Sequence, residues 1–88
     1  RPSIINFQGV ETLPNTWVFS GSISDDVNPA GLIVSFGGVI PAETITAVRP
    51  DGTFEITVIF DEGTTGLATA IITDDENLTS DLATFFVD

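Results

Sequence analysis

Three short acidic segments, Asp25-Asp26, Asp51 and Asp74-Asp75-Glu76, hold six of the thirteen carboxylates of this 88-residue chain. Asn28 lies beside the first segment and Asn77 beside the third. Carboxylates, side-chain amides and backbone carbonyls are the oxygens a hard cation such as calcium gathers, about six to eight at a time. Asp25, Asp26, Asn28, Asp74, Asp75 and Asn77 are therefore the candidate calcium ligands. The same residue types have a second use. Asp, Asn and Gly bond their own backbone and tolerate unusual angles, so turn formation competes with metal binding at each segment, most directly at Asp51 within Pro50-Asp51-Gly52. No EF-hand spacing links the segments.

The remaining composition excludes most catalysis. Histidine, cysteine and lysine are absent, which removes the usual general base, the thiol nucleophile and the Schiff-base amine. A pair of carboxylates is enough for glycoside hydrolysis, but a chain this short cannot build a deep cleft around a sugar. The expectation is a non-catalytic protein that requires no cofactor, calcium being the one ion its residues suit. A net charge of −11, with Arg1 and Arg49 the only cations, opposes nucleic acid and anionic membrane surfaces as partners. It also favours a soluble chain that is monomeric in isolation. Without cysteine, stability must come from packing, and the redox compartment is not legible. No apolar run approaches the roughly 18 residues of a transmembrane helix, and Arg1-Pro2-Ser3-Ile4-Ile5 lacks signal-peptide architecture. The chain reads as one domain, residues 1–88, belonging to a longer protein whose neighbouring domains are its first partners.

Short runs of β-branched and aromatic residues, separated by Gly, Pro, Asn and Asp, must position the acids. They predict strands at about 3–8, 16–24, 31–36, 43–48, 53–60, 66–73 and 80–87. In the fifth, Phe54, Ile56, Val58 and Phe60 face the core, while Thr53, Glu55 and Thr57 face solvent. In the second, Trp17, Phe19, Gly21 and Ile23 share a face opposite Val18, Ser20 and Ser22, with Trp17 as a core anchor or a cover at the core's edge. Pro50-Asp51-Gly52 predicts a tight hairpin between the fourth and fifth strands, and Asn28-Pro29-Ala30-Gly31 and Gly37-Gly38 bracket the third. If the last strand alternates, one ring of Phe85-Phe86 points away from the core. Seven short strands in this length predict an all-β, antiparallel, immunoglobulin-like (Greek-key) β-sandwich of the immunoglobulin or fibronectin type, with a small barrel as the structural alternative. In a sandwich, alternate connections converge. The acids at 25–28, 51 and 74–77 then share one end with the N-terminus, and Glu11, Asp61, Glu62 and Asp88 share the other.

Gly21-Ser22-Ile23-Ser24-Asp25-Asp26, Ala30-Gly31-Leu32-Ile33-Val34-Ser35-Phe36-Gly37-Gly38, Asp51-Gly52-Thr53-Phe54 and Ala70-Ile71-Ile72-Thr73-Asp74-Asp75-Glu76-Asn77 together resemble the bacterial Ig-like and cadherin-like repeats of large secreted or cell-surface proteins. The resemblance spans nearly the whole chain. It implies a tandem arrangement, an extracellular location and a spacer, adhesive or carbohydrate-associated role, with calcium completed at a junction between modules. The functional expectation is a structural repeat that sets distance and orientation. The alternative is an adhesion module binding carbohydrate or a surface protein, and a sugar site would show a concavity lined by more than one aromatic ring. Asn77-Leu78-Thr79 matches the glycosylation acceptor pattern, a triplet that arises often by chance.

Overall fold

Alternation of apolar and polar residues with period two resolves into strands wherever one face can be buried. The computed structural model describes residues 2–24, 31–74 and 77–88. Its seven strands are β1 (Ser3–Leu13), β2 (Thr16–Ser24), β3 (Ile33–Gly38), β4 (Ile45–Ala47), β5 (Thr53–Ile59), β6 (Gly66–Thr73) and β7 (Ala83–Val87), and there is no helix among the described residues. All pairings are antiparallel. One sheet has the order β1-β2-β5 and the other β4-β3-β6-β7. The two face each other as a β-sandwich.

Aromatic rings fill the space between the sheets. Phe7 and Phe54 from the three-stranded sheet meet Phe36 of the four-stranded one, with centroids 6.3 and 5.8 Å apart. Phe19 and Trp17 meet Phe85 at 6.3 and 6.2 Å. Phe19, Val34, Ile40, Phe54, Ile72 and Val87 are essentially inaccessible. Each such side chain contributes about 1.5–3 kcal/mol by leaving water. Trp17 is partly buried against this cluster, the core-edge one of the two positions its sequence allowed. On β7, Phe85 turns inward and Phe86 outward, the latter 59% exposed.

β2, β5 and β6 follow the expected boundaries closely, and four departures have local causes. β1 runs on to Leu13 because it pairs along β2 as far as Thr16, and it carries an extra residue on the way. Between the pairs Ile5↔Ser22 and Gln8↔Ser20 it advances three positions while β2 advances two. This β-bulge moves the inward set from even to odd positions, so Ile4 and Phe7 both reach the core. β3 starts at Ile33, two residues later than expected, because Gly31, with a φ of 85°, leaves extended geometry, although its N–H still reaches the Val48 carbonyl at 2.9 Å. At its far end Gly37 and Gly38 remain paired with Thr69 and Ala68. β4 is cut to Ile45–Ala47 by Glu43, whose φ of 69° takes it out of extended geometry. β7 begins at Ala83, because Ser80 instead closes the preceding connection onto Ile72.

The expected hairpin between the fourth and fifth strands does not form. β4 pairs with β3 and β5 with β2, so Pro50-Asp51-Gly52 is a corner that carries the chain from one sheet to the other. A tight turn specifies a reversal of direction and leaves the strand's partner open; here the apolar faces of β3 and β2 decide it.

Candidate functional site

Strand polarity gathers the connections into two sets. The start of β1, the end of β2, the start of β3, the end of β4, the start of β5 and the end of β6 all lie at one end. The segments carrying Asp51 and Asp74–Asn77 therefore share that end with Pro2, and the connection holding residues 25–30 leaves from it. Glu11, Asp61, Glu62 and Asp88 lie on segments at the opposite end. Of the six candidate calcium ligands, Asp25, Asp26, Asn28 and Asp75 lie outside the described residues, as does Glu76; Asp74 and Asn77 are described.

Both described candidates take part in turn formation. Asp74 Oδ1 accepts the Leu78 N–H at 2.9 Å, and the Asp74 carbonyl accepts the Asn77 N–H at 3.0 Å. Asn77 has a φ of 61°, an angle Asn adopts more readily than most residues. Just beyond, Ser80 is 3% exposed and its hydroxyl accepts the Ile72 N–H at 3.0 Å, so it anchors the whole connection to β6. Nothing in the sequence distinguishes Ser80 from its polar neighbours. Among the described residues, no three acidic side chains converge as a metal-holding group.

Asp51 is fixed more tightly. Its Oδ1 accepts the Thr53 hydroxyl at 2.6 Å and the Thr53 N–H at 3.0 Å. The hydroxyl first, then the N–H, with Arg49's charge adding to them, hold its carboxyl below the usual carboxylate range. The corner is closed by Gly52 N–H to Arg49 O at 2.9 Å, and tied to β2 by Ile23 N–H to Gly52 O at 2.8 Å. Gly52, with a φ of 85°, occupies a backbone region that a Cβ disfavours. At the other end Glu11 Oε2 accepts the Asn15 N–H at 2.9 Å, and the Asp61 carbonyl accepts the Thr64 hydroxyl at 2.7 Å. The carboxylates of Asp51, Asp74 and Glu11 thus shape the chain locally, while Asp61 does so through its main chain.

The β1 bulge creates a second feature that sequence reasoning missed. Asn6, with a φ of 56°, and Gln8 border a shallow depression of about 330 Å³ on the outer face of the three-stranded sheet, with Ser20 and Ser22 of β2 and Arg49 and Glu55 completing it. Arg49 Nη2 lies 3.6 Å from Glu55 Oε1, both side chains about half exposed, a pairing worth about 0–1 kcal/mol. Period two places Ser20, Ser22 and Glu55 on a solvent face, but the bulge that opens the depression has no sequence signature. Phe54 is the one ring in its lining, and it is buried. The concavity therefore offers amides, hydroxyls and a neutralised ion pair without a stacking surface.

Comparison of the chain with models of known protein families, with curated proteins and with solved structures finds no match in any of the three. The resemblance to Ig-like and cadherin-like repeats accordingly rests on the residues of the chain alone.

Proposed function

We propose that this domain is a non-catalytic spacer module of an extracellular or cell-surface protein. One observation carries the reading: the chain enters at one end of the sandwich, at Pro2, and leaves at the other, after Val87, across a body measuring 39 × 20 × 19 Å. The long axis matches the strand direction, since eleven residues of β1 extend about 36 Å at 3.3 Å each. A module of that form adds length between its neighbours. Strand order supports an immunoglobulin-like Greek key of the fibronectin type, with the fourth strand in the sheet of the third, sixth and seventh. Absence of His, Cys and Lys supports a spacer over an enzyme, and a concavity without an exposed stacking ring supports it over a sugar-binding module.

The test is geometric. With dyes placed before residue 2 and after residue 88, a second tandem copy should lengthen the dye-to-dye distance by close to the 39 Å of the body. An increment far smaller, or one broad distribution, would rule out a rigid spacer. Calcium at the N-terminal junction, held by Asp25, Asp26, Asn28, Asp74, Asp75 and Asn77, is the rigidifying element we attach to this reading. Bound to the native state alone, it would stabilise by about 2.7 kcal/mol at a hundredfold excess over Kd. Titration calorimetry on the domain joined to its preceding neighbour should then show saturable binding that Asp74→Asn weakens. No heat in that experiment removes calcium and leaves the spacer.

A second reading, adhesion to a protein partner, is favoured by the four-stranded sheet. Its strands contain no charged residue, and Ile33, Ile45, Leu67 and Phe86 are exposed on its outer face. Paired apolar side chains such as Leu67 and Phe86, opposite each other on β6 and β7, are the kind of surface that protein contacts cover.

A further inference from the structure

We propose that the Asp51-Gly52 peptide is a site of spontaneous isoaspartate formation, which the native corner holds closed through Thr53. An aspartate followed by glycine is open to attack by its neighbour's nitrogen, because no side chain shields that nitrogen. In the reaction the Gly52 nitrogen attacks Asp51 Cγ in the protonated carboxyl form. A bond forms between nitrogen and Cγ, the N–H proton and the carboxyl hydroxyl leave as water, and a five-membered succinimide results. Water then adds back to one of the two ring carbonyls. Opening at the side-chain carbonyl restores aspartate; opening at the backbone carbonyl routes the main chain through the former side chain and lengthens it by one methylene. No oxidant, cofactor or change in mass is involved.

Three contacts oppose these steps in the folded chain. The carboxyl is turned to Thr53, from which Oδ1 accepts two hydrogen bonds, at 2.6 and 3.0 Å. The attacking nitrogen is committed to the Arg49 carbonyl at 2.9 Å. The Gly52 carbonyl, in the next peptide unit, is held by the Ile23 N–H at 2.8 Å, which pins the far side of the corner to β2. The Thr53 hydroxyl also favours the ionised carboxylate, the form that cannot lose hydroxide. Reaction therefore requires the corner to open, and its rate reports that opening. Once formed, the isoaspartyl residue cannot fit the same closure: an added methylene between Arg49 and Thr53 is incompatible with the pair of backbone bonds, Arg49 N to Thr53 O and Gly52 N to Arg49 O, that define the corner.

The experiment incubates the chain at neutral pH in water enriched in oxygen-18, folded or in concentrated urea. Incorporation at Asp51 is read by mass spectrometry, and the isoaspartyl form by electron-transfer fragmentation. Native protein should react at least about tenfold more slowly than the urea-unfolded chain, as protection by closed structure requires. Thr53→Val, which keeps the branched shape and removes the hydroxyl, should react several-fold faster than wild type while its circular dichroism stays native. Equal rates in native buffer and urea would overturn the proposal, and so would a folded Thr53→Val reacting at the wild-type rate. If Thr53→Val does not fold, Thr53→Ala takes its place, and the native-to-urea ratio of the wild-type chain still decides whether the fold closes the site.

Discussion

β1 and β5 flank the same strand, β2, in the same sheet, yet they are built on opposite principles. β5 pairs with β2 in unbroken register from Thr16↔Ile59 to Ser22↔Thr53, and every second residue faces the core. β1 breaks register twice along eleven residues and changes its inward parity at Asn6. Regular alternation makes β5 stiff and readable. The bulge costs β1 that regularity, brings Phe7 into the ring cluster beside Phe19, Phe36 and Phe54, and opens the polar depression outside. One sheet thus supports both a core wall and a surface feature because only one of its flanking strands is regular.

The largest loss should come from emptying a core position of β5. Phe54 is 1% exposed and packs on Phe7 and Phe36, so Phe54→Ala should cost about 3–5 kcal/mol through transfer and cavity terms. Thr57→Ala, on the outer face, should stay within about 0.5 kcal/mol. Urea denaturation separates the two, and similar losses would refute the register. Ile56 shares the core face but is only partly buried, which makes Phe54 the sharper probe.

On β1 the corresponding test is overpacking. A Cβ built on Gly9 would lie 2.7 Å from an edge carbon of Phe19 and 3.2 Å from the Trp17 ring. Gly9→Ala should therefore destabilise by about 1–3 kcal/mol, because those rings are themselves held by Phe85 and Phe60. Gly31→Ala meets no atom of the described residues within 4 Å, so among them only its positive φ opposes the change. If Gly9→Ala proved harmless in the same denaturation series, the ring stack above it would have to be looser than its spacing indicates.

The bulge has its own probe. Asn6 sits at a φ of 56°, where a Cβ costs roughly 1–2 kcal/mol and Asn recovers part of that through local hydrogen bonding. Asn6→Ala should be less stable than Asn6→Gly by about 1 kcal/mol. Equal midpoints would mean that β1 slides into a regular register when Asn6 is replaced.

These tests also mark where the sequence was informative. The faces of β2 and β5, the opposite facing of Phe85 and Phe86, and the sharing of one end by the Asp51 and Asp74–Asn77 segments all follow from alternation and strand count; which of the two rings turns inward does not. β1 beyond Gln8 does not, since a one-residue bulge cancels the period that reveals a strand. The partner of β4 does not either, since Pro50-Asp51-Gly52 specifies a bend and the buried faces of β2 and β3 choose the sheets. Asp51 as a turn residue was legible from its neighbours, because Asx geometry is local. The depression was not, because it depends on a parity change in one strand meeting serines that would otherwise be ordinary outward residues of another.

The smallest expected effect concerns how β5 begins, and it can be isolated by pH. Asp51 has a lowered pKa in the folded chain because the Thr53 hydroxyl, and then the Thr53 N–H, bond its charged form. In the unfolded chain it titrates near the ordinary aspartate value of about 3.9. Between these two values the unfolded state binds more proton than the folded one, so stability rises with pH there. The contribution is complete above about 4 and is lost as pH falls through the lowered folded value. Asp51→Asn keeps an oxygen for the Thr53 N–H but cannot be charged, which makes it the matched reference. The gap in urea midpoint between wild type and Asp51→Asn should be small and constant from neutral pH down to about 4, then narrow below it. Contributions common to both proteins cancel in the difference. A gap that stays flat into strong acid would show that Thr53 holds the amide as well as the carboxylate, and that the corner is set by shape rather than charge.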